Sequence, residues 1–387
     1  MKITAILFWF SAATVLYVYL GYPMLIAFLA RLRPQPVRRE PIEPSVTLLI
    51  AAYNEEEMIR EKIENSLRLD YPKEKLEIAV VADGSRDCTP EIVREYAQRG
   101  VVLHFQTTRE GKTAALNRVV PLLHSEIILF SDANNLYHSD VVRKLCRNFA
   151  DPNVGAVSGE KILARTGASL GESENVYWRY EGFIRGHESA FSFTTGVPGE
   201  ILALRRLLYV APPKSVINDD FFLAMQVIRQ GYRVIYEPEA VSEELPTASM
   251  NAEVIRRSRI AAGYFQALLL LPRWLGAVSP LGYFQAISHK LLRPLVPICL
   301  VMALVTNLLM VRESFVMTVA AVVQISFYAL ALGGLVLARF GIRTKPCSIP
   351  YHFCATNFAY ITGLCRYLIG KQTVIWAKSR VRAADPA

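Results

Sequence analysis

The stretch from Glu126 to Asn135, EIILFSDANN, constrains the fold more than any other part of the chain. An unbroken apolar run, Ile127 to Phe130, drops at once into Ser131-Asp132-Ala133-Asn134. A strand covered on both faces reads this way when it ends at the rim of a parallel sheet. In an open α/β sheet that rim is where ligands sit. Asp132 and Asn134 flank one small residue, so a carboxylate and an amide carbonyl can face one hard cation. Mg²⁺ needs few protein ligands where phosphate oxygens supply the others. Asp and Asn also favour turns, so the surroundings decide.

The same plan recurs upstream. Val46 to Ala52 forms a strand that breaks into Tyr53, Asn54 and Glu55, and a helix with Ile59, Ile63 and Leu67 on one face follows. A second strand, Ile78 to Ala82, ends in Asp83-Gly84-Ser85. A helix then starts with Thr89 as its cap and Pro90 in its first turn. Val101 to Phe105 is a third strand, Thr113 to Leu123 a helix, and the Glu126 strand the fourth. This alternation predicts an α/β fold, a doubly wound and mostly parallel sheet with helices on both faces. Asp83 and Asp132 then end different strands at one edge.

The composition places this domain between membrane segments. The chain is 52% hydrophobic and 20% charged, too apolar for an ordinary soluble enzyme, and the excess lies at the two ends. Ile3 to Ala30 holds no charged side chain and is long enough to cross a bilayer. It is too long for a cleaved signal, and RLRPQPVRRE after it offers no small-residue cleavage site. Arg31, Arg33, Arg38 and Arg39 place that segment in the cytoplasm. The net charge of +9 is therefore ascribed to lipid headgroups, and no interleaved basic and aromatic pattern points to nucleic acid.

Past Gly263 the chain turns amphipathic, as suits helices on a membrane surface. Leu295–Val311 and Phe315–Leu337 read as two spans. Tyr351–Gly370, basic on both sides, reads equally as a spanning, re-entrant or interfacial helix. The expected layout is a transmembrane helix (1–31), a basic linker (32–44), a cytoplasmic α/β domain (45–265), interfacial helices (266–294) and a C-terminal transmembrane region (295–387). Cys88, Cys146, Cys299, Cys347, Cys354 and Cys365 show no metal spacing and are expected as free thiols.

Gly111-Lys112-Thr113 looks like the end of a phosphate-binding P-loop. That motif needs a glycine where Gln106 stands, so the reading fails and Lys112 is kept only as a point charge for a phosphate. In their order, however, AAYNEE, VADGSRD, GKTAALN, SDAN, TTGVPGEILALRR and INDDFFLAMQVIRQGYRVIYEP resemble a family 2 glycosyltransferase with a GT-A fold, over roughly residues 45 to 265. The membrane flanks are similar to its cellulose-synthase-like branch.

The resemblance implies a nucleoside site at Ala51, Tyr53, Glu55 and Asp83, with Asp83 at the base or ribose. It implies that Asp132 and Asn134 hold Mg²⁺ or Mn²⁺ and the nucleotide diphosphate, Asn134 standing where the family has a second carboxylate. Asp220 matches the general base, with Asp219 beside it, and Gly196 to Glu200 lie near the acceptor or donor sugar. Processive members carry Q-x-x-R-W after the base. Here Arg256-Arg257-Ser258-Arg259-Ile260 keeps Arg259 but loses the sugar-stacking tryptophan, which puts long-polymer synthesis in doubt. Arg256, Arg257 and Arg259 are then candidates to meet diphosphate or lipid headgroups. Tyr177, Trp178, Tyr180, Glu181, Arg185 and Glu188 share one helix, where core packing competes with an acceptor groove.

The chemistry matches that residue set. An acceptor hydroxyl attacks the anomeric carbon, so a base takes its proton, and a cation neutralises the departing diphosphate. A single displacement inverts that carbon. The expected protein is a membrane-embedded inverting transferase of hexosyl or N-acetylhexosaminyl type in a bacterial inner membrane. It would take a nucleotide sugar, a UDP-sugar first, and pass the sugar to a glycan or lipid-linked acceptor, with export or assembly proteins as candidate partners. A silent nucleotide-sugar-binding regulator and a membrane-anchored nucleotidyltransferase are the competing readings.

Overall fold

The four apolar runs form the parallel half of an eight-stranded sheet in the computed structural model, which describes residues 2–164, 169–244, 250–276, 280–340 and 344–370 together with positions 342 and 372. The strands are β1 (Val46–Ala52), β2 (Leu76–Asp83), β3 (Val101–Gln106), β4 (Ile127–Asp132), β5 (Asn135–Tyr137), β6 (Val154–Leu163), β7 (Leu202–Arg205) and β8 (Arg233–Glu244). Their order is β3-β2-β1-β4-β7-β6-β8-β5. The pairs β1–β2, β1–β4, β2–β3 and β6–β8 are parallel, whereas β4–β7, β6–β7 and β5–β8 are antiparallel. The sheet is therefore parallel-dominated, as expected, with antiparallel strands confined to its second half.

The helices are α1 (Lys2–Leu16), α2 (Tyr22–Leu32), α3 (Ile59–Leu67), α4 (Thr89–Glu95), α5 (Lys112–Val119), α6 (Val141–Cys146), α7 (Ser169–Phe191), α8 (Asp219–Arg229), α9 (Met250–Leu275), α10 (Pro280–Ala286), α11 (Val296–Met310), α12 (Phe315–Arg339) and α13 (Lys345–Leu368). Side chains alternate across each strand, and two cores result. Leu48 and Ile50 join Ile59, Ile63, Val141 and Leu145 on one face. Leu49 and Phe130 join Leu116, Phe222 and Trp274 on the other. Register then sets the rim, because Ala51 pairs with Asp132 across β1–β4 and Asp83 with Gln106 across β2–β3.

Local details differ from the sequence expectation. Thr89 lies inside its helix rather than capping it. Asp87 accepts its N–H at 3.1 Å, and the Thr89 hydroxyl accepts the Glu55 N–H at 2.8 Å. The segment 32–44 is fastened to the sheet domain: the Gln35 N–H donates to the Ala190 carbonyl at 2.7 Å, and Arg233 donates to the Gln35 carbonyl at 2.8 Å. Arg38 and Arg39, read from the sequence as cytoplasmic charges, pair with Glu40 and Glu237.

Among the described residues, three helical stretches are long and apolar enough to cross a membrane: Lys2–Leu32, Pro280–Met310 and Phe315–Arg339. The middle one begins well before Leu295, so it takes in much of the stretch expected to lie on the surface, and α9 runs unbroken through the expected boundary at 265/266. The basic tail past Gly370 lies outside the described residues apart from position 372.

The helix expected from Tyr351 begins at Lys345 and packs along α9 and α12. Gly363 makes the α9 contact close: a Cβ there would lie 2.5 Å from the Ser258 carbonyl oxygen and 2.6 Å from the Ala261 Cβ. Overpacking of this kind costs about 1–3 kcal/mol. Gly363→Ala is therefore expected to lower the unfolding temperature of the solubilised protein. An unchanged melting curve would mean that α13 does not dock there.

Candidate active site

The C-terminal tips of β1, β2 and β4 supply one side of the site. Asp83 is buried, and its carboxylate accepts the Gly111 N–H at 2.6 Å, the Glu110 N–H at 3.1 Å and the Gln106 amide at 2.9 Å. It thereby pins the loop that launches α5. Gly111 sits at φ 99°, a conformation that favours glycine, and Lys112 follows it. The Lys112 ammonium reaches Asp132 Oδ1 at 2.5 Å. Burial works against its charge, but Asp132 and Asp219 outweigh that and hold its pKa above the ordinary value.

Asn134 donates its amide to Glu244 Oε1 at 2.9 Å, leaving its carbonyl oxygen on the other branch. Behind it Lys161 bridges Glu200, at 2.5 Å, and Glu244. Burial alone would raise the Glu200 carboxyl, yet the Lys161 charge prevails and brings it down to about 2. Lys161 also lies 5.2 Å from the centre of the Trp178 ring.

Across the cavity, Asn218 leads into α8, and Asp219 and Asp220 occupy its first turn, where the helix dipole favours carboxylates. The Asn218 amide donates to the Ile260 carbonyl at 3.0 Å, fixing α8 against α9. A Cβ on Gly263 would lie 2.5 Å from the Asn218 amide nitrogen, so the approach requires glycine. Asp220 Oδ1 accepts the Phe221 N–H at 2.7 Å. Asp220 opens onto the cavity but sits deep among protein atoms. Burial, and then the Asp219 charge, raise its pKa from 3.8 to about 7.

One cavity joins Lys112, Asp132 and Asn134 to Gly196, Glu200, Asp219, Asp220, Arg256 and Arg259. The arginines are not a solvated cluster: Arg256 and Arg257 both hold Glu253, and Arg259 is pushed down by burial against the pull of Asp219 and Asp220. Tyr177, Trp178, Glu181 and Arg185 of α7 also line the cavity, so part of that stripe faces the groove, whereas Tyr180 donates to the Tyr19 carbonyl at 3.0 Å.

Ala51, Tyr53, Glu55 and Asp83 lie outside this lining, on the neighbouring strand tips. There the Arg109 guanidinium stacks 3.4 Å from the centre of the Tyr53 ring. Gly84, at φ 68°, lets Arg109 lie close: a Cβ would stand 2.6 Å from its backbone nitrogen.

Sequence reasoning missed Lys161, Glu244, Tyr264, Lys290 and Tyr360, all in the lining. The one signal for Lys161 is a Glu160-Lys161 pair near the end of a largely apolar strand. Glu244 meets Asn134 across a chain separation of 110 residues, which no local pattern encodes.

Residues 44–263 match the family model described as glycosyltransferase like family 2. The poly-beta-1,6-N-acetyl-D-glucosamine synthase of Staphylococcus aureus (strain COL) is 27% identical over 231 residues, 58% of this chain and 55% of that protein. The beta-monoglucosyldiacylglycerol synthase of Synechocystis sp. is 29% identical over 273 residues, 66% of this chain and 55% of that one. The chain thus spans about half the length of the curated relatives it matches. Among solved structures, the mannosyltransferase PcManGT from Pyrobaculum calidifontis, in complex with GDP-Man and Mn²⁺, superposes with a TM-score of 0.73 at 25% identity, covering 94% of this chain and 99% of that one. With its sheet of the GT-A kind and a family match over more than half its length, the chain belongs to the family 2 glycosyltransferases.

Proposed function

We propose that this protein is a membrane-embedded inverting glycosyltransferase that moves a sugar from a nucleoside-diphosphate sugar to a hydroxyl of a glycan or lipid-linked acceptor on the cytoplasmic side. The observation that carries this reading is the opposition of Asp220, raised to about 7, to the Asp132–Lys112 pair in one cavity. A group poised near neutrality is a competent base, and it lies opposite charges suited to a departing diphosphate.

Among the described residues no cluster of three His, Cys, Asp or Glu exists that holds a metal by itself. The donor set at the β4 tip, one carboxylate and one amide oxygen, instead fits Mg²⁺ or Mn²⁺ shared with diphosphate oxygens. Such an ion supplies charge neutralisation to the leaving group. Glu244 orients the Asn134 amide, and Lys112 adds a fixed positive charge beside Asp132. Asp220 takes the acceptor proton, Arg259 lies on the path of the diphosphate, and Asp219 tunes Asp220. Tyr53, Glu55 and Asp83 border the nucleoside end, where Asp83 also secures the Lys112 loop.

The reading is tested by screening nucleotide sugars on the purified full-length protein for released products. Free nucleoside diphosphate, abolished by chelator and restored by Mg²⁺ or Mn²⁺, is the expected result. Pyrophosphate released from a nucleoside triphosphate and a sugar 1-phosphate, with no nucleoside diphosphate from the nucleotide sugars, would identify a nucleotidyltransferase, and nucleotide-sugar binding without release of either product a silent regulator.

A further inference from the structure

One part of the cavity lining, around Arg257, is suited to an anion. Arg257 is 6% exposed, and its Nε donates to Glu253 Oε1 at 2.5 Å. The same carboxylate serves Arg256 at 2.9 Å, so two guanidinium groups share one buried acid. Arg257 Nη2 is buried and has no hydrogen-bond partner, and neither has the buried Trp178 Nε1 on the same wall. A buried unmade hydrogen bond on a charged group is costly. The Arg257 plane is held in place by the Tyr177 ring, whose centre lies 4.5 Å from Cζ. Glu181, the carboxylate in this part of the lining, is already taken by Arg293, Lys290 and His289.

Position also speaks for a lipid. The wall beside Arg257 includes Lys290, within the candidate span Pro280–Met310, and Tyr360 of α13. Arg257 precedes Ile260, the residue that holds Asn218 at the start of α8, by three residues, just under one helical turn and about 4.5 Å of rise. An acceptor fixed by an anionic group at Arg257 would therefore present a nearby hydroxyl to Asp220.

The geometry points to a phosphate-binding subsite at Arg257, Arg256 and Trp178 that anchors an acceptor carrying its phosphate on a lipid tail. This rests on the transferase reading above and names the acceptor class for that site. The phosphate is an anchor rather than the nucleophile. Guanidinium forks suit phosphate oxygens through paired N–H donors, and the indole N–H adds a third.

Equilibrium binding to the full-length protein in nanodiscs of neutral lipid tests it, with farnesyl phosphate, farnesol and inorganic phosphate as probes. Farnesyl phosphate is expected to bind at least about tenfold more tightly than either of the others, one bidentate contact supplying that ratio. Arg257→Gln should erase the preference over farnesol, Arg257→Lys should restore part of it, and nucleotide-sugar binding should stay unchanged in both. Equal affinity for farnesol would overturn the subsite, as would a loss confined to the nucleotide sugar. Inorganic phosphate binding as tightly as farnesyl phosphate would overturn the lipid part. Should Arg257→Gln not fold, Trp178→Phe, which removes the indole N–H while keeping an aromatic ring, must still reduce the preference. Because the assay needs no turnover, phosphate selectivity without nucleoside diphosphate release would sink the transferase reading and leave the subsite standing.

Discussion

Asp220→Asn is expected to cost turnover a factor on the order of 10²–10⁴ while leaving nucleotide-sugar binding largely intact, since a general base acts in the transition state and not in donor capture. A base must be ionised, so the rate of the unaltered protein should rise with pH through about 7, the value to which burial and Asp219 lift Asp220. Asp219→Asn removes the second of those causes. It should shift the rising limb to lower pH and reduce turnover less.

The same carboxyl gives an opposite result in stability. A pKa raised from 3.8 to about 7 contributes stability that is fully present below the lower value and lost as pH climbs through the upper one. The Asp220→Asn variant, which does not ionise, should therefore melt higher than the native protein at pH 8, with the gap closing toward pH 4. An inactive Asp219→Asn beside an active Asp220→Asn would assign the base to the wrong neighbour.

Asp132→Ala should be nearly as severe. It removes the only carboxylate of the proposed metal pair and the partner of Lys112. Losing several kcal/mol of leaving-group stabilisation, about 4 for instance, is a rate loss on the order of 10³. The residue sits at a strand tip and is partly exposed, so the fold should persist. Binding of Mn²⁺ measured by electron paramagnetic resonance in the presence of nucleoside diphosphate separates this loss from misfolding. Unaltered Mn²⁺ affinity in the variant would remove Asp132 from the metal site.

Much of this was legible from local patterns. The first strand runs from Val46 to Ala52 and the first helix of the sheet domain from Ile59 to Leu67, where the apolar spacing puts them, and β4 ends at Asp132. Those elements carry their own signal, because strands buried on both faces are continuous apolar runs. The second half of the sheet is quieter. β5 and β7 are three and four residues long, too short for a period, and their antiparallel pairing depends on partners far away in the chain. The site divides likewise. Asp132, Asn134, Asp219 and Asp220 stand at element ends and announce themselves. Lys161 and Glu244 become part of it only when β6 and β8 pair, with Leu163 opposite Glu244. Asp83 was visible as a strand-tip acid, but its hold on the Lys112 loop needed the β2–β3 register.

The cavity wall has a bearing on how this enzyme can be handled. Residues 44–263 carry the whole family pattern, yet Tyr264, Lys290 and Tyr360 stand in the same wall as Asp220. A fragment trimmed to the family boundaries would therefore be a vessel with one side cut away. It would keep the nucleotide end and leave the sugar open to bulk water, a competing nucleophile. Hydrolysis seen with such a piece would report the missing side rather than a hydrolase, so an activity assigned from it would belong to the cut and not to the protein.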